Sequence, residues 1–197
     1  SLNCESRIVN SCEPCGVCNS CNSVREDNNL DVIEMDAASK TGVDDIREII
    51  DNVKYKPISC KYKIFIIDEV HMLSKSAFNA LLKTLEEPPA HVKFIFATTE
   101  VKKIPITIIS RCQRFDLHRI NKDNLMDHLL SIAKKENIEI DKDAMALIVR
   151  SADGSVRDGL SLFDQAIVNE NKKITSKSIV LMLGLADRGN IFDLMDS

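Results

Sequence analysis

Two stretches of this sequence carry residues that do chemistry. The first is IFIIDEVH, residues 64–71, in which four apolar residues run into Asp68 and Glu69. A buried strand that ends this way delivers two carboxylates to the carboxyl edge of a parallel sheet, where α/β proteins bind ligands. An acid in that place suits holding Mg²⁺ on a phosphate substrate. The next acid suits orienting and polarising an attacking water. Asp68 is therefore assigned to Mg²⁺ and Glu69 to the water. The second stretch is CEPCGVCNSC, residues 12–21, with four cysteines in ten positions. Pairs spaced C-x2-C suit a tetrahedral structural zinc ion. A ferredoxin-type iron–sulfur run needs three residues before its last cysteine and a proline after it. Here the spacing is two and Asn22 follows, so zinc is the expected metal. On spacing alone the fourth ligand stays open between Cys4 and Cys12.

Strands and helices must hold these groups in place. DVIEMDA (31–37) alternates like a short strand. Val43, Ile46, Ile49, Ile50 and Val53 then recur at helical spacing until Pro57 stops the pattern. YKIFIID (62–68) and VKFIFATT (92–99) read as buried parallel strands. Between them Ser74 is a helix N-cap, and Ala77, Phe78, Leu81, Leu82 and Leu85 form an apolar stripe ended by Pro88 and Pro89. After the turn PITIISRC (105–112), QRFDLH (113–118) is expected to be a further strand. From Asn121 the pattern is helical, with starts after Asn121, Asp141, Ser155 and Thr175, a stop at Gly184, and a further cap at Asp187. The order predicts an open parallel sheet followed by a small helical lid, with a boundary near residue 119.

Composition narrows the function classes. The chain has 197 residues, 44% hydrophobic and 28% charged, with a net charge of -4. That charge argues against coating nucleic acid by bulk attraction. No apolar run is long enough to span a bilayer. The start, SLNCESRIVN, has neither the basic nor the apolar region of a signal peptide. It also lacks an initiator Met, so the expectation is a chain that begins inside a longer, cytoplasmic protein. In that compartment clustered cysteines favour metal over disulfides.

Together, DEVHMLSKSAFNALLKTLEEPP, FIFATTEVKKIPITIISRC, GSVRDGLSLFDQAI and DAASKTGVDDIRE resemble the bacterial clamp-loader ATPases, the gamma/tau family of DNA polymerase III. The resemblance covers essentially the whole chain. It implies an AAA+ fold: an α/β P-loop-type parallel sheet carrying a zinc knuckle, followed by an all-α lid. Residues 1–119 correspond to a partial nucleotide-binding domain with the knuckle at 4–21. Residues 120–185 correspond to the lid, and 186–197 to the start of a third helical domain that joins subunits in a ring. Thr99 matches the sensor of the γ-phosphate. Arg111, in SRC, matches the arginine finger that reaches ATP on a neighbouring subunit. Arg157, in GSVRDGLS, matches the second sensor. The LNC tripeptide places Cys4 with Cys15, Cys18 and Cys21 as the zinc ligands. His71 and Lys83 match no functional role, and His71 is read as a structural polar residue beside the acids.

The implied activity is ATP hydrolysis with ATP, Mg²⁺ and Zn²⁺, coupled to loading a sliding clamp on primed DNA during DNA replication. The implied partners are delta, delta-prime and further gamma/tau copies, the clamp, and primed DNA through the assembled ring, with no membrane. The family is classed with DNA-directed DNA polymerase through its holoenzyme, but these residues argue for ATP hydrolysis alone. The family's G-x-x-x-x-G-K-[ST] loop is not among these 197 residues, and the resemblance places it just before SLNC. This exact span is therefore expected to bind ATP weakly or not at all. Two other classes fit these residues less well. A non-hydrolysing structural subunit, like delta-prime, has no reason to keep both acids of IIDEVH and the ATT sensor. A zinc DNA-binding module needs a basic, aromatic-bearing face, and the first 29 residues hold two arginines and no aromatic.

Overall fold

The computed structural model describes residues 1–6, 13–40, 42–169 and 173–184. The chain divides into two compact units, Ser1–Phe115 and Asp116–Ser197. In the first, strands β1 (Val32–Asp36), β2 (Lys63–Asp68) and β3 (Val92–Phe96) form a parallel sheet in the order β1-β2-β3. Helices α2 (Val43–Val53) and α3 (Lys75–Glu86) make the two crossovers and pack against each other. Short helices α1 (Asn19–Arg25) and α4 (Ile106–Ile109) precede and follow this βαβαβ frame.

The register explains the layering. Phe65 pairs with Phe94, and Ile67 with both Met35 and Phe96, so one face of the sheet gathers a continuous apolar surface. It packs with Ile46, Ile49 and Val53 of α2 and Ala77, Phe78 and Leu81 of α3 into a single core. Phe65 and Phe94 stack with ring centroids 5.4 Å apart. Helix α3 starts where the sequence predicts, because Ser74 Oγ accepts the Ala77 N–H at 3.2 Å. Its interior is Ala- and Leu-rich, which favours a helix. The central strand β2 is held on both sides, so its two terminal acids start from a rigid base.

A buried acid pins the loop before β2. Asp31 is fully buried, and its carboxylate accepts the N–H groups of Ile58, Ser59 and Cys60 at 2.7, 2.7 and 2.8 Å. Burial works against its charge, but the three backbone donors and the Ser59 hydroxyl outweigh it and hold the carboxyl below its ordinary value. Its stabilising effect is therefore complete above the ordinary carboxylate pKa of about 3.9. It fades as pH falls through the lower folded-state value. Asp31→Asn replaces one accepting oxygen with a donor that faces another donor. The expected loss is about 3 kcal/mol at pH 7, read as a lower urea midpoint. The gap between parent and variant should close in acid.

The second unit holds α5 (Lys122–Lys135), α6 (Lys142–Ala152), α7 (Val156–Asn169) and α8 (Ser176–Met182). Asn121 Oδ1 caps α5 through the Asn124 N–H at 2.8 Å, and Thr175 and Ser178 form a reciprocal capping box on α8. Leu125, Leu129, Met145, Ile148, Phe163 and Ile179 are buried together at the centre of this unit. Two residue pairs, Glu139–Lys173 and Ile140–Ile174, add a short parallel ladder of β4 and β5 that helical periodicity did not announce. Gly154 turns the chain between α6 and α7 at φ +78°, where a Cβ would lie 2.7 Å from the Ile120 carbonyl oxygen. The Ile120 N–H donates to Gly154 O at 3.1 Å, so this turn holds the start of the unit.

One expected strand is not there. QRFDLH has no regular secondary structure, with Phe115 74% and Leu117 95% exposed. Its alternation is strand-like, but a strand exists only by pairing, and among the described residues the sheet ends at β3. The predicted cap at Asp187 lies outside the described residues.

Candidate functional site

Asp68 ends β2, and the chain then turns sharply. Glu69 adopts the left-handed conformation, φ 45° and ψ 42°, which costs a residue with a side chain on the order of 1–3 kcal/mol. Its N–H donates to Asp68 Oδ1 at 2.9 Å, and a 3₁₀ turn over Val70–Met72 follows. The ladder continues past β3 as well: Ala97 N–H donates to Ile67 O, and Val70 N–H donates to Ala97 O, both at 3.0 Å. These bonds bring the end of β3 beside the acids. Thr99 then donates to the Glu69 carboxylate through both its N–H, at 3.3 Å, and its hydroxyl, at 3.2 Å. Asp68, Glu69 and Thr99, 31 residues apart at the extremes, thus meet at one sheet edge.

His71 joins them. Its side chain is 7% exposed and its Nδ1 lies 3.1 Å from Glu69 Oε2 and 3.0 Å from Thr98 Oγ1. The type and position of His71 were legible, but its contact with Glu69 was not, because nothing local places an imidazole against a residue two positions earlier. Arg111 is engaged elsewhere. Its Nη2 lies 2.6 Å from Glu86 Oε1 at the end of α3, and Nη1 donates to Thr107 O. Glu86 was not singled out in the sequence. Arg157 lies exposed in the first turn of α7 in the second unit, with no ion-pair partner among the described residues.

The cysteines form a second cluster. The Sγ atoms of Cys4, Cys15, Cys18 and Cys21 all lie within 4.8 Å of one another. Cys15 and Cys21 sulfurs are 3.9 Å apart. A tetrahedral ion with bonds of about 2.3 Å to sulfur sets its ligands about 3.8 Å apart, so this donor set fits one. Cys12 lies outside the described residues. Backbone N–H groups favour the thiolates: that of Cys15 toward Cys4, that of Val17 toward Cys15 and that of Glu5 toward Cys18, and all three pKa values are lowered. For Cys21 the Gly16 N–H acts the same way, but the neighbouring thiols and burial outweigh it and push the group up to about 11. Cys60 and Cys112 are free, half-buried thiols.

The cysteine segment is stitched to the strand that carries the acids. Asn3 donates to Tyr62 O at 2.9 Å and accepts the Tyr62 N–H at 3.0 Å, the pattern of one extra ladder pair at the root of β2. Glu5 Oε1 accepts the Ser20 hydroxyl at 2.8 Å, closing the segment on α1.

Comparison with known proteins shows the family. The family described as "DNA polymerase III, delta subunit" matches residues 1–121, and "DNA polymerase III clamp loader subunit, ATPase lid domain" matches 124–171. The chain belongs to the DNA polymerase III clamp-loader family. It is 49% identical over 184 residues to the tau subunit of Bacillus subtilis, covering 93% of this chain and 32% of that protein. It is 46% identical over 194 residues to the tau/gamma subunit of Haemophilus influenzae, covering 98% of this chain and 28% of that protein. Against the gamma subunit of Buchnera aphidicola from Acyrthosiphon pisum, identity is 46% over 197 residues, covering the whole chain and 54% of the relative. The chain thus spans between 28% and 54% of the length of these clamp-loader relatives. Its fold is also that of the Thermotoga maritima RuvB branch migration motor, with TM-score 0.63 at 16% identity, covering 84% of this chain and 55% of that one. A clamp-loader ATPase family implies nucleotide binding and a multi-subunit complex. No helix among the described residues is long and apolar enough to cross a membrane.

Proposed function

We propose that this chain is part of a gamma/tau-type clamp-loader subunit that hydrolyses ATP to load a sliding clamp on primed DNA. The observation that carries this reading is the edge where Asp68 and Glu69 end the central strand and Thr99 holds the Glu69 carboxylate. Asp68 would hold the Mg²⁺ that travels with ATP. Glu69 accepts a proton from water while the water oxygen attacks the γ-phosphorus and ADP departs. Thr99 senses that phosphate, and Arg157 contacts the nucleotide of its own subunit. Residues 1–119 serve as part of the nucleotide-binding domain and 120–185 as the lid; the third domain expected to start at 186 lies outside the described residues.

Cys4, Cys15, Cys18 and Cys21 would hold Zn²⁺, which supplies a structural crosslink and no chemistry of hydrolysis. The working site is cytoplasmic, with delta, delta-prime and further gamma/tau copies as ring partners. Arg111 acts in trans on the ATP of a neighbouring subunit. Arg111→Ala in the full-length protein, assembled with its partners, clamp and primed DNA, should lower ATP turnover by about a thousandfold with nucleotide binding preserved. Unchanged turnover would remove Arg111 from that role. The match to a family described as a delta subunit favours a second reading, a structural subunit that does not hydrolyse ATP. A full-length protein that enters the complex but neither binds nor hydrolyses ATP would establish that reading instead.

A further inference from the structure

The Glu69 carboxylate is held unequally. Its Oε2 lies 3.1 Å from His71 Nδ1, 3.2 Å from Thr99 Oγ1 and 3.3 Å from Thr99 N. Its Oε1 has one long contact, 3.5 Å from the same hydroxyl. Two Thr99 donors and the edge of the imidazole crowd one oxygen and leave the other more open to a water molecule. The Glu69 side chain is 33% exposed, so solvent reaches it. A carboxylate only accepts, so an imidazole that donates to it here must do so through an Nδ1–H.

His71 has a second close neighbour at Nδ1 and a more distant one at Nε2. Nδ1 also lies 3.0 Å from Thr98 Oγ1, which accepts the Glu100 N–H at 3.0 Å. Nε2 lies 3.6 Å from Glu100 Oε1, and that carboxylate is anchored by Lys103 at 2.7 Å. The ring therefore links the turn after β2 to the turn after β3. It is buried, while the carboxylate it touches is not.

We propose that His71 is a positioning residue for Glu69: with Thr99 it anchors Oε2 so that Oε1 takes the proton from water. This rests on the reading of Glu69 as the base. A general base works only when its accepting atom is in hydrogen-bond reach of the proton, and a carboxylate free to rotate spends little time there. Thr99 reaches the group from the end of β3. His71 supplies the second direction. The burial of the ring is not the point of the design, because a nonpolar residue of similar size would fill the space without touching Glu69.

The test uses the full-length protein assembled with its partners, clamp and primed DNA, measuring kcat and KM for ATP alongside nucleotide affinity. His71→Ala should lower kcat about tenfold and leave KM and nucleotide affinity within about twofold. Asn places a donor close to Nδ1, whereas Gln places one close to Nε2. His71→Asn should therefore recover most of the rate and His71→Gln should not. Should the alanine variant fail to fold, the Asn and Gln pair decides the question. Equal rates for Asn and Gln, or full kcat in the alanine variant, overturn the proposal. Glu69→Gln is measured beside them. If it is inactive and His71→Ala keeps full kcat, only the role of His71 fails. If Glu69→Gln hydrolyses ATP at the parent rate, the reading of Glu69 fails first.

Discussion

Glu69→Gln in the full-length protein should stop steady-state ATP hydrolysis, lowering kcat by at least about a hundredfold, with ATP affinity changed by no more than a few-fold. The amide has the shape of the carboxylate, and its oxygen still accepts from Thr99 and His71, which hold Glu69 Oε2 at 3.1–3.3 Å. What it lacks is an oxygen basic enough to take a proton from water. The left-handed backbone at Glu69 is retained, because the Asp68 bond to its N–H and the ladder through Val70 and Ala97 do not involve the side chain. The change therefore isolates proton transfer from architecture. Phosphate release in a single turnover with clamp and primed DNA measures it directly. A variant that traps ATP and holds the clamp without releasing phosphate is the expected phenotype. Hydrolysis at the parent rate would place the chemistry outside the β2 edge altogether.

The second large effect is expected at the cysteines. One zinc ion per chain should be found by metal analysis, and Cys15→Ser should remove it. Cys15 is the informative ligand, because its sulfur also accepts the Cys18 N–H at 3.4 Å, so its loss opens the turn into α1 as well as the metal site. The segment has little apolar core of its own: among residues 13–25 the only buried side chain is Ser20. A small polar segment without a core depends on its crosslink for order. The expected result is a melting temperature lower by about 10 °C, with loss of hydrogen-exchange protection spreading from Cys15–Cys21 to Asn3 and Tyr62. Hydrolysis below the transition should change far less than in Glu69→Gln, because the cysteines brace the root of β2 and the acids sit at its other end. A variant with unchanged melting temperature and no bound metal in the parent would mean that the four thiols are held by their backbone donors alone.

Much of this molecule is readable from local pattern. The strands 63–68 and 92–96 are rich in β-branched and aromatic residues, so their type follows from local pattern; β2 is buried on both faces as expected, but β3 is not, because as an edge strand it leaves Lys93 and Ile95 exposed. Ser74 and Asn121 announce helix starts because the cap is a bond between residues three apart. The position of Asp68 and Glu69 at a carboxyl edge follows once IFII is a parallel strand. The spacing of Cys15, Cys18 and Cys21 needs no long-range information either, since a C-x2-C turn brings its own sulfurs together.

Other features depend on partners distant in sequence. QRFDLH alternates like a strand and is not one, because pairing is supplied by a neighbour and not by the segment itself. Asp31 reads as part of an alternating strand, yet its carboxylate serves a loop 27–29 residues away. Glu86 reads as one of many helix-end acids until the fold brings Arg111 to it across 25 residues. His71 is two residues from Glu69, but the left-handed turn and the end of β3 are what press its ring against that carboxylate. The sequence by itself determined the three strands of the sheet and the longer helices, which acids stand at a strand end and which thiols are spaced for a metal, because those depend on residues within a few positions of each other. The tertiary structure alone decided which oxygen of Glu69 is held and which is open, since that is set by donors converging from two strand ends.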